Sequence, residues 1–152
     1  MKRIFKVLIV ALGFVPILTF SQTNENYIGI DYSSICCGTP SKKPIIDYIK
    51  KIEANNKLKS FEMFVEDGLG KEGEYAFYIG TDNLNNKSVK SFFNGLKDIA
   101  TNQNKLRSEK SDGYVNVREK FITILTLKNI KDKPRTKISS LEIYEYKNET
   151  TY

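Results

Sequence analysis

Two cysteines stand side by side in this chain, Cys36 and Cys37, and no others occur in its 152 residues. A disulfide between them would close almost no loop, so the usual constraint on the unfolded chain is missing. Consecutive Cα atoms lie about 3.8 Å apart, whereas ordinary disulfides want roughly 4.4–6.8 Å. A bridge between neighbours is therefore strained and easily reduced. The residue types allow four roles: a redox-sensitive ring, an intermolecular disulfide, a thiolate pair for a soft metal ion, or small buried hydrophobes at a strand-to-helix junction. A soft metal would find few further ligands, because there is no histidine and the methionines are Met1 and Met63. No cofactor or metal is expected.

The missing histidine excludes Ser-His-Asp triads, Cys-His pairs, His-ligated zinc and imidazole acid–base chemistry within one chain. No Ser-x-x-Lys replaces them; Ser88-Val89-Lys90 is one residue short. The carboxylate pairs are Glu62 with Glu66 and Glu72 with Glu74. Acids on the outer face of a hairpin stay hydrated and are not tuned for proton transfer near neutrality. Gly68-Leu69-Gly70-Lys71-Glu72-Gly73 matches G-x-G-x-x-G, yet a strand-like segment follows it instead of the helix that a dinucleotide requires. Glu66, Asp67, Glu72 and Glu74 would also repel phosphate. These glycines read as a hairpin tip. Asp82-Asn83-Leu84-Asn85-Asn86 has a leucine at the third position of a would-be calcium loop, and reads as a turn plus helix cap.

Binding chemistry is better represented. Lys128, Lys131, Lys133, Arg135 and Lys137 gather five bases on an expected hairpin tip, opposed there by Asp132. They read as a solvated turn with gatekeeping charges, or as a docking edge for an acidic partner. Tyr144 and Tyr146, among Glu142, Glu145 and Lys147, are candidates for an exposed recognition face or for half-buried sheet tyrosines. Nucleic acid is not expected, because the tyrosines lack the clustered stacking pattern of single-strand binders.

The elements that must position these groups follow from periodicity. Tyr27–Ser33 alternates weakly, with Gly29 and Asp31 on one side. Ile45, Tyr48, Ile49 and Ile52 mark a helix that Ser41 can cap and whose first turn tolerates Pro44. Ser60–Glu66 and Glu74–Gly80 alternate and form a hairpin, with Phe64 on the outer side awaiting a cover. Val89, Phe92, Phe93, Leu96, Ile99 and Ala100 define a longer helix from about Asn86, and Gly95 inside it suggests a close approach. Phe121–Leu127, apolar on both faces, reads as the strongest strand and a central one; Lys137–Tyr146 returns beside it. The expected fold is α+β: one antiparallel layer of 4–6 strands with two helices on one face, in the order β-α-β-β-α-β-β. Helix-strand-strand occurs twice, a hint of internal duplication without a shared motif.

Met1–Lys6 is basic, Val7–Phe20 is largely apolar, and Thr19 and Ser21 are small residues before Gln22. Residues 1–21 resemble a secretory signal peptide of the bacterial Sec type and fall short of the roughly 20 apolar residues of a membrane span. Its removal leaves 131 residues and takes three positive charges from the +6, leaving +3. The expected organisation is a lead-in and weak strand at 22–34, a single α+β domain at 35–147 and a polar tail at 148–152. Taken together, the residues suggest a secreted or periplasmic, non-enzymatic domain that binds another protein and has no stable membrane span. The alternatives are a thiol protein acting through Cys36 and Cys37 by redox or soft-metal chemistry, and a small carboxylate-dependent hydrolase.

Overall fold

A computed structural model describes residues 26–107, 113–123, 126–129 and 140–146. Five strands and two helices follow one another as β1 (Tyr27–Ser33), α1 (Lys43–Asn56), β2 (Met63–Asp67), β3 (Tyr75–Gly80), α2 (Asn86–Lys105), β4 (Tyr114–Val117) and β5 (Ser140–Ile143). The strands form one antiparallel sheet in the order β4-β1-β3-β2-β5. The expected α+β layer is therefore the observed one. The first six elements are a β-α-β-β-α-β succession with β1 and β3 at the centre, the split β-α-β arrangement of ferredoxin-like folds; β5 extends it beyond β2. The unit that recurs is strand-helix-strand, with each helix crossing over one intervening strand.

Local chemistry explains the helix ends. Pro44 sits in the first turn of α1, and the Lys43 N–H donates to Ser41 Oγ at 3.2 Å. At the other end Lys57 takes a left-handed conformation (φ 52°), letting its N–H and that of Leu58 reach the carbonyls of Ala54 and Glu53. Asn85 caps α2 by accepting the Ser88 N–H at 2.9 Å. Gly95 of α2 meets the hydroxyl end of Tyr48 from α1, so a side chain larger than hydrogen would collide with that ring. The close approach expected at Gly95 is thus made by a side chain.

Alternation sorts the sheet residues. Ile28, Ile30 and Tyr32 of β1, Met63 of β2, Phe77 and Ile79 of β3, and Val115 and Val117 of β4 turn toward the helices. There they bury against Ile45, Ile46 and Ile49 of α1 and Phe92, Leu96 and Ala100 of α2. Phe61 stacks on Phe92 at 4.8 Å, and Tyr48 stacks on the same ring at 5.6 Å.

The second face corrects two expectations. The described residues of 121–127 do not form the expected central strand: Ile122 makes one bridge to Tyr27, and residues 126–129 form a helical turn. Thr123 Oγ1 accepts the Thr126 N–H at 3.1 Å, which starts that turn. The described apolar residues of this run serve both faces of the sheet. Ile122 and Leu127 bury against Tyr27, Ala76 and Tyr78, while Phe121 packs on Phe93 at 5.5 Å. Phe64 finds its cover in this second cluster. The weak strand, in turn, is central. Asp31 faces the second surface, where Arg118 holds it through Nε and Nη2, and the Arg118 side chain lies over Gly29. Gly29 and Asp31 blurred the hydrophobic pattern because they seat an arginine.

Among the described residues, no helix is long and apolar enough to cross a membrane. Residues 1–21, expected to be a leader, and 148–152, expected to be a polar tail, lie outside the described residues.

Candidate functional site

Tyr75 and Phe77 alternate onto the helix-facing side of β3, near the end where the chain enters α1. Their rings lie 5.2 Å apart. Tyr144, just beyond β5, is held beside them because its N–H donates to Met63 O at 2.9 Å, continuing the ladder with β2. Its ring lies 4.6 Å from Phe77. Opposite these rings run Thr39, Pro40, Ser41 and Lys42, the segment leading into α1. The result is an open cleft of about 470 Å³, completed by Val65 and Asp67 of β2. Lys42 places its ammonium 4.8 Å from the centre of the Tyr144 ring, a cation–π contact at the rim.

Tyr32 underlies the cleft. It stacks on Tyr75 at 4.5 Å and meets Phe77 edge-on at 5.6 Å. Its hydroxyl is buried and has no hydrogen-bond partner among the described residues. Burial first, and the nearby hydroxyls of Tyr75 and Tyr144 second, drive its pKa well above the ordinary tyrosine value. The cleft thus combines apolar rings with a lysine, an aspartate and tyrosine hydroxyls. Such a lining can hold a ligand by ring contact and charge.

The sequence-derived candidates distribute unevenly around it. Cys36 and Cys37 are exposed on a bend at 35–37, one residue before the cleft wall, so they are not buried hydrophobes. Tyr144 lines the cleft. Tyr146 does not belong to an exposed face: it is 2% exposed, donates its hydroxyl to Glu53 and accepts the Phe61 N–H at 3.1 Å. Lys128 is exposed, on the helical turn at 126–129, while Lys131, Lys133, Arg135 and Lys137 lie outside the described residues. Thr39–Lys42, Asp67 and Tyr75 were not singled out as a site by sequence reasoning. Tyr32, Tyr75 and Tyr144 end or follow three alternating segments, but nothing in their spacing shows that the ends converge.

The acids have other work. Glu62 accepts the Tyr27 hydroxyl, and Glu66 accepts that of Tyr78 at 2.5 Å. Glu72 is exposed, and the Glu74 carboxylate turns back onto the Glu72 N–H at 2.9 Å. Gly68 and Gly73 both have positive φ, 73° and 79°, which fits the hairpin reading of their motif. Among the described residues, no three His, Cys, Asp or Glu side chains gather in a way that could hold a metal.

The buried tyrosines should make the protein alkali-sensitive. Burial is the largest cause raising the pKa of Tyr27, Tyr32, Tyr78 and Tyr146; Glu62, Glu66 and Glu53 reinforce it through hydrogen bonds to Tyr27, Tyr78 and Tyr146. In the unfolded chain these phenols ionise near pH 10. Below that pH both states are neutral and nothing is lost. Above it the unfolded chain sheds protons that the folded one retains, so stability falls as pH rises. Urea unfolding midpoints should decrease steadily above about pH 10, with the late phenolate absorbance appearing together with loss of the fold. Complete phenolate titration of a still-folded protein at pH 10–11 would contradict this account.

No family model, curated protein or solved structure matches this chain.

Proposed function

We propose that this protein is an exported, non-enzymatic binding domain and that it takes a short segment of another protein in the cleft formed by Thr39–Lys42, Val65, Asp67, Tyr75, Phe77 and Tyr144. The observation that carries this reading is the convergence of three aromatic rings with Lys42 at one concave place. Rigid rings with polar tips supply contact area at low entropic cost, which suits peptide recognition. The volume lies within the range of ordinary ligand clefts, roughly 300–1,000 Å³. A partner's apolar side chain would rest on the rings while its backbone meets the hydroxyls and Lys42. The basic leader followed by an apolar run supports export.

A peptide-display library selected on the protein, followed by titration of synthesised winners under amide NMR, tests the reading. Selected peptides should shift the amides of Thr39, Ser41, Lys42, Asp67, Tyr75 and Tyr144. Tyr144→Ala should weaken them about tenfold or more, as loss of an aromatic anchor does. Peptides whose shifts map elsewhere, or whose affinity ignores Tyr144→Ala, would overturn it.

A further inference from the structure

Cys36 and Cys37 are both exposed on the bend at 35–37, and their Sγ atoms face each other in contact. The loop that carries them is already folded back on itself. Ser34 Oγ accepts the Gly38 N–H at 3.2 Å across the pair, and Gly38 holds a positive φ of 97° with open space where a Cβ would be. Both thiols are thus accessible from outside and directed at each other.

We infer that Cys36 and Cys37 form a reversible thiol–disulfide exchange site that closes into a small intrachain ring at the expense of an external disulfide. In the first step the thiolate of one cysteine attacks a sulfur of the external disulfide. The external S–S bond breaks, one thiolate leaves, and a mixed disulfide forms. The neighbouring cysteine then attacks the protein sulfur of that mixed disulfide, forms the Cys36–Cys37 bond and expels the second thiolate. The two protons from the cysteines end on the two released thiols. The pair loses two electrons, and the external disulfide gains them.

The contact favours this chemistry over the other sequence-level roles. The resolving thiol is the next residue and already faces its partner, so the second step stays within the chain. A tetrahedral metal with two thiolates at about 2.3 Å would hold the sulfurs about 3.8 Å apart and require two further ligands. No cluster of metal-ligating side chains exists among the described residues. Adjacency makes the ring easy to reduce again, the property of a labile rather than a structural bridge. The site stands apart from the peptide-cleft reading, although Gly38 alone separates it from the cleft wall at Thr39.

The full chain is equilibrated in glutathione buffers of rising disulfide content, quenched in acid, alkylated and weighed intact. A monomer that has lost two hydrogens and carries no alkyl group should become the dominant oxidised species, and dithiothreitol should reverse it. Cys36→Ser and Cys37→Ser should each stop at the glutathione adduct. Amide NMR should show Gly38–Lys42 shifting on oxidation in the wild type and not in either variant. A parallel arm offers an oxidised Cys-x-x-Cys protein at equal concentration; the faster of the two donors identifies the source as protein or small molecule. A persistent glutathione adduct on the wild type, a covalent dimer, or two alkylated thiols at every buffer ratio would overturn the inference.

Discussion

Phe92→Ala is expected to destabilise the protein by about 3–5 kcal/mol, the range for truncating a buried phenylalanine without collapse of the space it leaves. Phe92 is buried at the point where three elements meet, stacked on Phe61 at 4.8 Å and on Tyr48 of α1 at 5.6 Å. The opposing rings cannot both follow a shrinking side chain, since Tyr48 is already pressed against Gly95. Domains of this size hold only about 5–15 kcal/mol in total, so the variant should sit near the edge of folding. Urea unfolding checks it, with Leu106→Ala as the control. Leu106 is 88% exposed, and its truncation should stay within about 0.5 kcal/mol. Equal midpoints for the two variants would remove Phe92 from the account of how the helices are held.

The second large effect is expected at Tyr146. Tyr146→Ala should cost about 3 kcal/mol or more, because it empties a buried site and unties the chain beyond β5 from Glu53 and Phe61. Tyr146→Phe should cost only about 0.5–1.5 kcal/mol. The ring stays in place, and the Phe61 N–H still donates to Glu53 Oε1 at 2.6 Å. A residue serving recognition alone would show the reverse pattern, lost binding with unchanged unfolding. Stability retained in Tyr146→Ala would therefore return the side chain to the surface role that its charged neighbours suggest.

Much of the scaffold was legible one segment at a time. Pro44 with Ile45, Tyr48 and Ile49 located α1, and Asn85 with Phe92, Leu96 and Ala100 located α2, because helical spacing of apolar residues is a local property of the chain. The β2–β3 hairpin was legible for the same reason, with glycines at 68 and 73 supplying its positive φ angles. The errors share one physical origin. Phe121–Leu127 looks like an inner strand because it is apolar on both sides, yet its described residues are buried differently: Phe121 packs on Phe93 on the helix side, while Ile122 and Leu127 bury on the other face of the sheet. Tyr27–Ser33 looks weak because Gly29 and Asp31 break its alternation, yet Arg118, distant in sequence, supplies the missing partner. Charged neighbours left Tyr146 open to an exposed or a half-buried reading, and its ring turns inward to Glu53.

From residue types alone come the absence of imidazole chemistry, the adjacent thiols, the helix positions and the α+β class, since each depends on composition or on spacing within one segment. Tertiary structure decided the rest: which strand lies at the centre, what covers the second face, and which tyrosines share a cleft. Tyr32, Tyr75 and Tyr144 become neighbours only once β1 and β2 have each paired with β3 and β5 has joined β2. Strand pairing is a contest among distant segments, and the pattern within any one of them does not name the winner.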